Sequence, residues 1–163
     1  MGIREDLLAF STRLDSAIAS VMKNEVFRAA QVDVMVSIEE NVYAKYEPDA
    51  YIRRRDNGGL QDPSNIILKD ENVVVATTPS ESVFEMEVVD VAKDDWGFPV
   101  DKVIQSGKGY TWENSRIYKM EADGRPLRRP FYEAAEKMLV SDMAGSAEYW
   151  LREGLRNRGF TVV

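Results

Sequence analysis

The chain has 163 residues, 44% of them apolar and 30% charged, and carries a net charge of −7. It contains neither Cys nor His, which excludes disulfides, thiolate nucleophiles, serine triads and the usual zinc and non-haem iron sites. An enzyme built from this chain would have to work with carboxylates, Lys, Tyr or a hard cation such as Mg²⁺, which makes an enzyme less expected without excluding one; no cofactor is expected.

The length suits one domain with its own core. No apolar run approaches the roughly 20 residues of a membrane span. The opening Met-Gly-Ile-Arg-Glu-Asp lacks the apolar stretch of a signal peptide. Asp6 stands where a myristoylation motif wants Ser or Thr, so no membrane partner is expected.

In chain order, Ile3 to Glu47 contains no Pro or Gly. Leu7, Phe10, Leu14, Ile18 and Val21 recur at helical spacing, and a second stripe runs Phe27, Ala30, Val34, Ile38, Val42, Tyr46. The pattern predicts one long helix or two consecutive ones over residues 1–47, with Asn24–Glu25 as the re-cap if there are two. Pro48 ends it. Asn57-Gly58-Gly59 and Asp62-Pro63 are turn signals. Residues 64–106 then read as a small antiparallel sheet. Ile66–Leu68 and Val73–Val75 are short strands around a turn at Asp70–Asn72. In Val83–Val91, Phe84, Met86 and Val88 alternate with Glu85 and Glu87. Val100–Gln105 is expected to return as a further strand. Residues 107–129 form a docking loop. Two helices fill 130–159, the first behind Pro130 with Phe131, Ala134, Ala135, Met138 and Leu139 inward, the second capped by Ser146. Thr161–Val163 could add a last strand. The fold class is α+β in a single domain over 1–163.

Charge is unevenly spread. Residues 64–101 hold two lysines against nine carboxylates, a net of −7. Arg53, Arg54 and Arg55 make one basic knot, and Arg125, Arg128 and Arg129 belong to another. Opposed charged regions suit association with copies of the same chain or with partners, and equally an ordinary solvated surface. Glu85, Glu87, Asp90, Asp94 and Asp95 form an acidic face that could attract Mg²⁺ or Ca²⁺. However, Glu85-Met86-Glu87 lacks the lysine of a nuclease Glu-x-Lys, so a solvated face without metal is the reading. Gly107-Lys108-Gly109 is no phosphate loop, because neither the spacing nor the following helix fits. Tyr110, Trp112 and the arginines at 125, 128 and 129 are interface candidates, since aromatics and Arg are enriched in binding hot spots. Phe131, at a helix start, reads as core.

Several segments also resemble a known group. Asn41-Val42-Tyr43, Tyr46-Glu47-Pro48, Tyr51-Ile52-Arg53-Arg54, Asn57-Gly58-Gly59-Leu60 and Asp62-Pro63-Ser64-Asn65-Ile66 resemble small structural proteins of bacteriophages and prophages. Gly107-Lys108-Gly109-Tyr110-x-Trp112, followed by Arg129-Pro130-Phe131, is similar to the pattern of tail-completion, or head–tail joining, proteins of long-tailed phages. So is the ending Gly154-Leu155-Arg156-Asn157-Arg158-Gly159-Phe160. Residues 113–124 depart from that pattern as an insertion. The resemblance implies a non-enzymatic, ring-forming subunit at the head–tail junction of the virion. Such a subunit would assemble in the bacterial cytoplasm, with itself and tail or neck proteins as partners and no sequence-specific nucleic-acid binding. An acidic strand face would repel DNA passing a channel. The alternative is a small acidic phage inhibitor that mimics nucleic acid and blocks a host defence nuclease.

Overall fold

The computed structural model describes residues 2–45, 53–78, 81–94, 97–107, 128–141 and 145–162, leaving aside the side chains of 70–78 and 81–85. The protein is α+β, with a long N-terminal helical run, a two-stranded antiparallel sheet and C-terminal helices. Helix α1 is Ile3–Val21 and α2 is Phe27–Ile38. Strand β1 is Ile66–Thr78 and β2 is Glu81–Asp90. Helices α3 (Val100–Ser106), α4 (Phe131–Leu139) and α5 (Ala147–Asn157) follow. The chain divides into two compact units. The first comprises Met1–Ala30, Leu68–Val88 and Leu139–Val163; the second comprises Gln31–Ile67 and Val89–Met138.

No break separates α1 from α2. Met22–Val26 is a single π turn, and a second π turn, Glu39–Tyr43, follows α2. The buried residues explain both. Met22, Val26 and Ala30 are spaced by four in the first unit, and Val34, Ile38 and Val42 by four in the second. An α-helix has about 3.6 residues per turn, so each step of four drifts by about 40°. One wider turn takes that drift back. Such a turn leaves a carbonyl without its usual partner. Asn24 Nδ2 donates to Ser20 O at 2.7 Å, and Asn41 Nδ2 to Ser37 O at 3.0 Å. The run is the single long helix of the two alternatives, and Asn24, the re-cap only if there were two helices, bonds within it.

In the first unit, Val21, Met22, Val26 and Leu155 form the core, with Leu14, Ala17, Ile18, Met86, Leu151 and Phe160 packed against it. Ser146 caps α5, its Oγ accepting from Tyr149 N–H at 3.3 Å. Helices α1 and α5 meet at Gly154, where a Cβ would lie 2.5 Å from Val21 Cγ1. Glycine permits that approach without displacing the Val21 side chain. The chain then leaves α5 through Gly159 at φ +83°, and Phe160 N–H returns to Leu155 O at 3.1 Å. This closure delivers Phe160 to the edge of Phe10, ring centroids 6.2 Å apart.

Three local expectations are corrected. β1 runs unbroken through Asp70–Asn72, because pairing along β2 overrides the local turn preference of those polar residues. Val100–Gln105 is helical, not a strand: Val100, Val103 and Ile104 follow the i, i+3, i+4 rhythm behind Pro99, and Gly107 at φ +67° closes the helix by donating to Val103 O. Thr161 and Val162 pair with no strand among the described residues.

Candidate functional site

In the second unit, the segment Arg53–Ile66 is a loop organised by its own side chains. Asp62 gathers three donors: Gly58 N–H at 2.7 Å, Ser64 N–H at 2.9 Å and Ser64 Oγ at 2.6 Å. The Ser64 hydroxyl, then the two backbone N–H groups, hold its carboxyl below the usual carboxylate range. Asn65 Nδ2 donates to Gly59 O at 2.9 Å. Helix α2 ties the loop down from outside. Gln31 Nε2 donates to Pro63 O at 2.8 Å and Ile66 O at 2.9 Å, and Gln61 Nε2 donates to Met35 O at 3.2 Å. Leu60 is buried beneath. At Gly59 a Cβ would lie 2.6 Å from Arg55 O and 2.7 Å from Arg55 N, so no side chain fits.

The three arginines open this loop. Arg53 donates to Tyr43 O at 3.0 Å and its guanidinium lies 4.9 Å from the centre of the Tyr43 ring. Arg55 lies 5.0 Å from the same ring and pairs with Glu39 at 3.3 Å. Arg54 donates to Lys93 O. Two guanidiniums about 5 Å from one aromatic ring make a cation–π clasp. Burial, the leading cause, pushes the Tyr43 hydroxyl up. Arg54 and Arg55 remain exposed.

A second arrangement is buried. Asp90 is 3% and Asp101 7% exposed. The Tyr132 hydroxyl joins them, accepting from Asp90 N–H at 2.5 Å. Asp90 Oδ1 accepts from Ala92 N–H at 2.8 Å. Asp90 Oδ2 and Asp101 Oδ1 have no hydrogen-bond partner among the described residues. Burial, and then the charge of Asp101, push the Asp90 carboxyl up to about 7. Asp101 is raised by burial as well, and so is the Tyr132 hydroxyl. Two buried carboxylates side by side favour holding a proton. A hard cation wants six or more oxygen ligands, and among the described residues no three acidic side chains group around a metal position.

The predicted site residues fall in different settings. Glu87 is exposed and pairs with Lys69 at 2.9 Å. Asp94 Oδ1 accepts from Phe98 N–H at 2.8 Å in a turn through Gly97. Asp90 lies inside. Arg128 is exposed and pairs with Glu133, whereas Arg129 is only 7% exposed, its N–H donating to Ile104 O at 3.0 Å. Tyr110, Trp112, Arg125, Asp95 and the Glu85 side chain lie outside the described residues. Phe131 is fully buried. Tyr132, an interface candidate by its aromatic ring, instead turns its hydroxyl to the buried Asp90 backbone, and Asp101 and the Glu25–Arg158 pair escaped sequence reasoning. A signal for Asp90 exists: it shares the even phase of Phe84, Met86 and Val88, the apolar side of β2.

The largest uncovered apolar surface among the described helices is the start of α1. Ile3 is 82% exposed, Leu7 63%, Leu8 62% and Phe10 51%. No helix of the described residues is long and apolar enough to cross a membrane.

These elements define an α+β protein. The family model YomN matches residues 7–157, and the chain belongs to the YomN family, a kinship that associates it with bacteriophage. Comparison with curated proteins gives no match, and neither does comparison with solved structures.

Proposed function

We propose that this chain is a non-enzymatic structural protein of a phage particle, placed at the head–tail junction and acting by self-association and docking to tail proteins. The observation that carries the reading is the uncovered apolar start of α1, in a chain whose family is associated with phage. Large apolar patches on soluble proteins mark surfaces that meet another molecule. The clasp at Tyr43 adds support, because it presents Arg54 and Arg55 at the surface on a loop held from within. In this reading the protein works without cofactor or metal. It assembles in the host cytoplasm and stays in the virion.

The test is mass spectrometry of purified particles from an induced lysogen that encodes the chain, with heads and tails separated. The protein is expected in several copies per particle, in the fraction that retains the neck. Absence from purified particles overturns the proposal. Recovery instead in a complex with a host nuclease, weakened by salt, would establish the acidic inhibitor in its place.

A further inference from the structure

The apolar face of α1 has a finer order than helical amphipathicity. Ile3, Leu7, Phe10, Leu14, Ala17 and Val21 are spaced alternately by four and three. That is the a/d seam of a two-stranded coiled coil, with Leu7, Leu14 and Val21 at a and Ile3, Phe10 and Ala17 at d. The chain itself covers the seam from Leu14 onward and touches Phe10 only at one edge, through Phe160. Val21 is core, and Leu14 and Ala17 pack against it. The first half continues from that core into solvent, widened by exposed Leu8.

We infer that the open part of the seam, Ile3 to Phe10, and the half-buried Leu14 at its end are covered by the same segment of a second copy, running antiparallel. Charge selects both the occupant and the direction. One flank of the seam carries Asp6 and Arg13 at successive g positions, and the other carries Arg4 and Ser11. In an antiparallel pair, Leu7 faces Phe10 of the second copy, and Ile3 faces Leu14. The g flanks then meet, so Asp6 of each copy lies beside Arg13 of the other, and the two-fold axis makes two such pairs. A parallel pair sets Asp6 beside Ser11 and Arg13 beside Ile18, with no complementary charge. Asp6 and Arg13 have no ion-pair partner among the described residues of their own chain; Arg13 lies 5.6 Å from the Phe160 ring and remains exposed. The two pairs sit at the rim, so they set direction while the apolar seam supplies most of the affinity.

This inference rests on the self-association in the reading above and names its surface. Its test is sedimentation velocity of the full chain over a concentration series. Wild type is expected to pass from monomer to dimer, and Leu7→Glu to stay monomeric with an unchanged far-UV spectrum. Asp6→Arg alone and Arg13→Asp alone each set like charges together and should weaken the dimer by about fivefold or more. Mixing the two variants should restore a dimer, now between unlike copies, because each charge again meets its opposite. A monomer at all concentrations, a dimer indifferent to Leu7→Glu, or a mixture no better than either variant overturns the inference. The charge variants keep it falsifiable if Leu7→Glu fails to fold. The two readings fail separately. A monomer that is nonetheless found in particles leaves the structural role standing, and a dimer absent from particles leaves the interface standing.

Discussion

The two units of this chain are held by different physics. The first closes on apolar contact and one bridging arginine. Arg158 donates to Glu25 at 2.7 Å, to Ser20 Oγ at 3.0 Å and to Gly154 O at 2.8 Å. Its guanidinium keeps the Glu25 carboxyl below its ordinary range. The second unit also buries an apolar core, with Ile38, Ile66 and Phe131 fully buried, but adds extensive polar wiring to it: a loop held by Asp62, Asn65, Gln31 and Gln61, and a buried Asp90–Asp101–Tyr132 cluster. Apolar closure is indifferent to pH, and its contacts can shift by tenths of an ångström. A wired loop and a buried carboxyl pair tolerate neither a displaced backbone nor a change of protonation.

The sharpest way to break the second unit is Gly59→Ala. The new Cβ meets backbone atoms of Arg55, which cannot swing aside as a side chain would. A loss of about 3 kcal/mol is expected in urea unfolding; a loss below about 1 kcal/mol would show that the loop is looser than its hydrogen bonds imply.

Next comes pH. The folded Asp90 carboxyl is raised to about 7, against about 4 in an unfolded chain. The folded protein therefore binds the extra proton between those values, and stability contributed by this group falls as pH rises from about 4 towards 7. Asp90→Asn removes the titration while keeping an oxygen for Ala92 N–H. Relative to wild type, the variant should gain on the order of 2 kcal/mol between pH 5 and pH 8. A difference between the two proteins that is flat with pH would mean that Asp90 is ionised throughout.

The smallest effect belongs to the first unit. Gly154→Ala sets a methyl against Val21 side-chain atoms, which can move, so about 1–2 kcal/mol is expected. Gly154→Ala outweighing Gly59→Ala would reverse the comparison.

Much of the architecture was legible. Helical periodicity foretold the N-terminal run and both C-terminal helices, and alternation along Val83–Val91 foretold β2. The segments Asn57–Ile66 and Gly154–Phe160, singled out as motifs, turn out to carry the tightest local geometry of their units. The errors share one cause. Asp70–Asn72 looked like a turn and Val100–Gln105 like a strand because short windows see only local preference. The partner strand and the Pro99 boundary lie outside such windows. Residue setting was less legible still. Arg129 and Arg128 are adjacent and chemically identical, yet one is buried and the other exposed.

The sequence by itself determined the types of the long elements, the positions where only glycine fits a turn, and the heptad spacing along α1, because each depends on the spacing of side chains along one backbone. Tertiary structure alone decided which carboxylates are buried, which arginines stack on Tyr43, and how far the α1 seam is consumed within its own unit. Those outcomes depend on residues distant in the chain: Asp90 meets Tyr132, Glu25 meets Arg158, and Val21 meets Gly154. No local pattern encodes the proximity that sets their desolvation and packing.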